Sequence, residues 1–144
     1  MTNWIKVPRH KADKIILDAN NYGNLAIVPT LNKKLRQHWA VKKKDRATYG
    51  VLVGSEMIKA GIKKAKKADK FVLIITSYRP RLMDPDNLVG AHKWMIDALR
   101  DKGFIYDDDP DHIHLLVEQH KATKKTGEKI KTLIERINVC KLDG

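Results

Sequence analysis

Eight consecutive residues, Phe71-Val72-Leu73-Ile74-Ile75-Thr76-Ser77-Tyr78, form an uncharged run rich in β-branched side chains. A run without polar alternation has no face to give to water, so it predicts a central strand buried on both faces. Other segments fall in around it. Ile113, Leu115 and Val117 alternate with His112, His114 and Glu118, the pattern of a strand with one wet face. Lys124–Lys129 reads as a hairpin turn around Thr126-Gly127, with Ile130–Val139 as the returning strand. Leu25–Val28 reads as a strand ended by Pro29, Lys14–Asp18 as another, and Trp4, Ile5 and Val7 as a third, with a turn at Asn20–Gly23. Helical patterning runs from Asp45 to about Lys67, where Leu52, Ile58 and Ile62 recur, and again from Asp84 to Lys102. Gly50, Gly54 and Gly61 weaken the first helix and suit close approach of another, in a dimer interface for example. The expected class is α/β of the α+β kind: one small domain over residues 1–144, a mixed sheet with two main helices. Residues 1–22 read as an N-terminal extension.

The stretch from Arg79 to Asp111 carries the chemistry. Asp84 and Asp86 stand at its front, Asp107, Asp108, Asp109 and Asp111 at its back, and Lys93 and Asp97 between them. Pro85 keeps Asp84 out of helical geometry and is itself suited to the first helical position, so Asp84 reads as an N-cap with Asp86 just inside. The helix should run on to Lys102 and stop at Gly103. At about 3.6 residues per turn, Asp86, Gly90, Lys93 and Asp97 share one face. An aspartate before a helix is an ordinary cap, and an aspartate-rich turn an ordinary loop. Neither explains three aspartates in a row inside a basic chain. Carboxylates so crowded repel one another unless something positive sits among them, and a divalent cation is the simplest candidate.

The ordered run Asp84-Pro85-Asp86-Asn87-Leu88, Lys93, Asp97-Ala98-Leu99 and Gly103-Phe104-Ile105-Tyr106-Asp107-Asp108 resembles the signature of the RusA family of Holliday-junction resolvases. Pro29-Thr30-Leu31-Asn32 and His38-Trp39 resemble the family's N-terminal loop more loosely. The resemblance implies a small, dimeric, magnesium-dependent endodeoxyribonuclease, with Mn²⁺ an acceptable substitute. Asp84, Asp86 and Asp108 match its metal-binding catalytic aspartates, and Lys93 its catalytic lysine. The interval before Lys93 is longer than in that family by Val89-Gly90-Ala91, and counting back from Asp97-Ala98-Leu99 keeps the lysine in register.

Charge points the same way. Lys and Arg number 29 against 17 Asp and Glu, a net charge of +12, which draws in polyanions. The loop from Thr30 to Lys44 interleaves Lys33, Lys34, Arg36, His38, Lys42, Lys43 and Lys44 with Trp39, suited to a phosphate backbone and an exposed base. Arg79 and Arg81 flank Asp84 and should hold neighbouring phosphates. The expected partner is branched DNA, a four-way junction, met by a twofold homodimer. Neither a membrane-spanning run nor a signal peptide is recognisable, and Cys140 stands alone, so the expected compartment is the cytoplasm of a bacterial or phage-infected cell. Two alternatives stay open: a metal-dependent nuclease acting on other branched DNA or on RNA, and a basic DNA-binding protein without catalysis.

Overall fold

The Phe71–Arg79 strand lies between two partners in a four-stranded sheet, buried on both faces. The computed structural model describes residues 9–27 and 39–139, with the backbone alone for residues 39–45. Its strands are β1 (Asp13–Asp18), β2 (Phe71–Arg79), β3 (Ile113–Lys121) and β4 (Lys131–Asn138), in the spatial order β1-β4-β2-β3. Its main helices are α1 (Trp39–Ala60), α2 (Pro85–Ala91) and α3 (Lys93–Lys102), with a single helical turn at Ala19–Tyr22. β2 runs parallel to β3 and antiparallel to β4, which pairs antiparallel with β1. The sheet is mixed and the architecture α+β, as the sequence leads one to expect. A parallel pair needs a long crossover, and α2 with α3 supplies it.

Several connections differ from expectation. The Lys124–Lys129 turn is present, but β3 and β4 do not pair, because β2 lies between them. The most apolar strand takes the centre, where both of its edges are covered. Leu25–Val28 is not a strand in its described part: Gly23–Ala26 forms a 3₁₀ turn after the one-turn helix that Asp18 caps. Gly23, at φ 55°, turns the chain there, and the Ala26 carbonyl accepts the Thr132 hydroxyl at 2.8 Å. α1 begins at Trp39 and ends at Ala60, where Gly61 adopts φ 66° and the Ile62 N–H reaches back to the Met57 carbonyl at 2.9 Å. Lys42, Lys43 and Lys44 therefore ride on a helix, while Lys63 to Lys67 come after it. The Trp4–Val7 segment, the Lys33–His38 part of the basic loop and Cys140 lie outside the described residues.

Alternation along the strands sets two faces. Ile15, Leu17, Phe71, Leu73, Ile75 and Ile134 meet Tyr49, Val53 and Met57 of α1 and Met95 and Leu99 of α3. Each such side chain removed from water contributes about 1.5–3 kcal/mol. α1 lies close against α3: a Cβ on Gly50 would sit 3.2 Å from the Lys102 Cε, and one on Gly54 3.6 Å from its Cδ. The glycines thus make room for the stem of a lysine in the same chain. Arg46 closes the same contact with two hydrogen bonds to Asp101, at 2.7 and 2.8 Å, and holds that carboxyl below its usual range. On the opposite face Val72, Ile74 and Ile137 pack with Ala12, Leu116 and Val139.

One buried charge ties these layers together. Arg136 of β4 is 5% exposed; its guanidinium donates to Asp13 at 2.9 Å, to the Phe104 carbonyl at 2.8 Å and to the Lys63 carbonyl at 2.5 Å. It also lies over the rings of Phe71 and Phe104, at 4.8 and 4.9 Å. Arg136→Met keeps the bulk but strands two carbonyls, so it should lower stability by about 3 kcal/mol. A denaturation midpoint within error of wild type would show that the guanidinium is dispensable.

Candidate active site at the acidic loop

The chain enters α2 through a clamp. Gln119 of β3 accepts the Met83 N–H at 2.8 Å and donates to the Met83 carbonyl at 2.7 Å. Met83 packs on Leu88, five residues on, in a cluster with Ala91 and Val117, the arrangement of a hydrophobic staple across a helix start. Asp84 takes the N-cap position with Pro85 at the first helical residue, yet its carboxylate makes no capping hydrogen bond. Asp86 sits in the first turn, where the helix dipole favours a negative charge. Both aspartates are exposed.

The helix expected from Asp84 to Lys102 is broken at His92. The imidazole Nδ1 lies 2.7 Å from the Leu88 carbonyl, the acceptor that the His92 backbone N–H would otherwise use, and that N–H bonds to the Val89 carbonyl at 3.1 Å instead. A side chain competing for an i−4 carbonyl is a sufficient cause of a break. It falls directly after Val89-Gly90-Ala91 and makes Lys93 the first residue of α3 rather than a mid-helix position.

α3 ends at Gly103, which adopts φ 84° and sends its N–H back to the Leu99 and Arg100 carbonyls. Phe104 and Ile105 are buried and anchor the loop, and the acidic run comes next. Its aspartates have different duties. The Asp109 carboxylate accepts the Asp111 and His112 backbone N–H groups at 3.0 and 3.1 Å and pairs with the His112 imidazole at 2.6 Å, so it caps the entry to β3. His112, also packed on Tyr106 with ring centroids 5.0 Å apart, is thereby held above its usual pKa. Asp107 accepts the Asp108 N–H at 2.8 Å; this hydrogen bond first, and Arg100 and His112 further down, hold it below the usual carboxylate range. Asp108 lines a cavity of about 470 Å³ together with Lys93, under apolar walls that include Val89, Ile96 and Leu115. Lys93 and Asp108, named from opposite ends of α3, thus meet at one recess.

Sequence reasoning missed the cation in this cluster. Arg100 lies 3.9 Å from Asp97, 3.8 Å from Asp107 and 3.7 Å from Asp108. Its spacing three residues after Asp97 was the available signal.

Asp84 and Asp86 do not join this group. Met83 is tied to Gln119, Asp109 to His112, and β3 advances about 20 Å between those two residues. Among the described residues no three His, Cys, Asp or Glu side chains come together as a metal site. Arg79 is buried, 6% exposed, and its Nε donates to the Arg81 carbonyl at 2.9 Å, so it braces the turn before Met83; Arg81 is exposed. Compared with known proteins, the chain matches no family model and no curated protein.

The Asp109–His112 pair predicts a pH dependence. An imidazole whose pKa is raised by folding adds stability in full below its unfolded value of 6.5, and loses it as pH rises through the folded one. The gap in melting temperature between wild type and Asp109→Asn should therefore be larger at about pH 5.5 than at about pH 8.5. An equal gap at both would mean that Asp109 acts through its backbone hydrogen bonds alone.

Proposed function

We propose that this chain is an endodeoxyribonuclease that nicks branched DNA such as a four-way junction, working as a homodimer with a magnesium requirement. The observation that carries the reading is the recess shared by Lys93 and Asp108, two side chains that the RusA-like motif run assigns to one catalytic site. Cleaving a phosphodiester needs a neutralised phosphate and a water made nucleophilic. Lys93, a fixed positive charge on the first turn of α3, binds the scissile phosphate and offsets its developing charge. Asp108 orients a water and accepts its proton. Exposed Arg81 and the basic residues of the 33–44 segment bind flanking phosphates. Among the described residues no helix is long and apolar enough to cross a membrane. The proposed setting is the cytoplasm of a bacterial or phage-infected cell.

A second reading is favoured by Arg100. An internal guanidinium beside Asp97, Asp107 and Asp108 can balance the acidic cluster without any ion, leaving a basic DNA-binding protein with no chemistry.

A magnesium titration on a synthetic four-way junction, with a linear duplex as control, separates the two. Nuclease action predicts metal-dependent nicks near the branch point, and no cleavage at any magnesium level would leave the binding-protein reading. Asp108→Asn should lower the cleavage rate at least 100-fold while changing junction affinity little, in line with the loss of general acid–base catalysis, about 10²–10⁴. Asp86→Asn tests the other half of the motif: a loss as large as that of Asp108→Asn places Asp86 in the working site, and full activity in that variant removes it. Lys93→Ala should cost rate more than affinity. Equal loss of both would reduce it to a backbone contact.

A further inference from the structure

At the other end of the sheet from the acidic loop, on the face away from α1 and α3, three cross-strand neighbours form a row. Tyr78 of β2 stands opposite His120 of β3 and opposite Lys131 of β4. The Tyr78 and His120 rings have centroids 5.2 Å apart and planes tilted by 30°, and the Lys131 ammonium lies 4.7 Å from the Tyr78 ring centre. His120 keeps 53% of its side chain exposed. Beside the row opens a recess of about 410 Å³, bounded by Tyr78, His120, Lys121, Thr126 and Glu128.

The β3–β4 connection frames this shelf with charge. Lys124, Lys125 and Lys129 fall within it and Lys121 and Lys131 flank it, against Glu128 in the turn and Glu118, whose carboxylate lies 4.0 Å from the His120 Nε2. Its shape is held from inside. The Thr126 hydroxyl accepts the Thr123 and Glu128 backbone N–H groups at 3.0 and 3.3 Å, the Gly127 N–H donates to the Thr123 carbonyl at 3.0 Å, and Gly127 takes φ 74°. The lysines are thus displayed on an ordered turn.

We propose that this shelf binds single-stranded DNA: an unpaired base stacks on the open face of His120, braced from behind by Tyr78, and the adjoining phosphates lie along Lys121, Lys131 and the turn lysines. A braced aromatic ring beside a row of cations supplies the two contacts that unpaired strands use, stacking and phosphate neutralisation. A paired base has no free face to offer, so a duplex engages only the lysines. The inference rests on the nucleic-acid part of the reading above, not on its cleavage chemistry.

The test uses the full chain with a fluorescein-labelled oligodeoxythymidylate and a duplex of equal length. His120→Ala should weaken oligodeoxythymidylate binding about fivefold or more, His120→Tyr should restore it, and duplex binding should not move. Neutralising Lys121, Lys125 and Lys129 together to Gln should lower the slope of log affinity against log salt by about 2 on the single strand. All the substituted side chains are exposed, and an unchanged melting temperature checks that the fold survives. Wild-type affinity and slope in these variants would reduce the shelf to a solvated turn. Equal losses on single strand and duplex would reduce it to an unspecific basic patch. Asp108→Asn in these binding assays and in the junction-cleavage assay keeps the two proposals apart. Normal cleavage by that variant removes the active-site reading and leaves the shelf standing; loss of cleavage beside unchanged binding in His120→Ala does the reverse.

Discussion

Arg136 is the point through which the parts of this molecule are held in register. A guanidinium buried without partners would be costly, so the chain must bring it acceptors. It does so from three directions: Asp13 on β1, the Lys63 carbonyl after α1 and the Phe104 carbonyl after α3. Two of those acceptors are backbone groups, one in the connection after α1 and one in the connection after α3. Phe104 both offers its carbonyl and covers the cation with its ring, so the exit from α3 is fastened from two sides. A further backbone bond, from the Ala65 N–H to the Gly103 carbonyl at 2.7 Å, completes the joint. The aspartates beyond Phe104 inherit their position from it.

The sheet topology then decides which carboxylates meet. A parallel β2–β3 pair joined by a helical crossover returns the chain to the starting edge of the sheet, so the segments before and after the crossover lie at opposite ends of β3. Asp84 and Asp86 come before it, Asp107 to Asp109 after it. Lys93 escapes this separation because the loop after α3 folds back along the helix to form one recess with it. Arg100 quiets the repulsion among Asp97, Asp107 and Asp108. This arrangement supports a lysine–aspartate pair as the working part of the proposed nuclease.

Several of these features were legible from residue order. The uncharged Phe71–Tyr78 run could only be a central strand, Pro85 and Gly103 marked where helical structure starts and stops, and the alternation in Ile113–Val117 marked another strand. The break at His92 was not legible, because periodicity does not report whether an imidazole will compete for the Leu88 carbonyl. The hairpin expected at Thr126-Gly127 failed for a related reason: a turn signal says that the chain reverses, not which strand will lie beside it. Gln119 left no local trace of its bonds to Met83, since its partner is 36 residues away. Arg136 left a faint one, an arginine in register with inward-facing Thr132 and Ile134.

Residue order alone determined the class of fold, the central strand, the helix limits at Pro85 and Gly103, the basic excess and the membership of the acidic stretch. Those come from local rules: hydrophobic period, backbone restriction and charge. Tertiary structure alone decided that Asp109 is a cap, that Asp108 shares a recess with Lys93, that Arg79 is buried, and that Tyr78, His120 and Lys131 stand in one row. Each depends on strand order or on an acceptor far away in the chain, and neither is encoded in the spacing of neighbours.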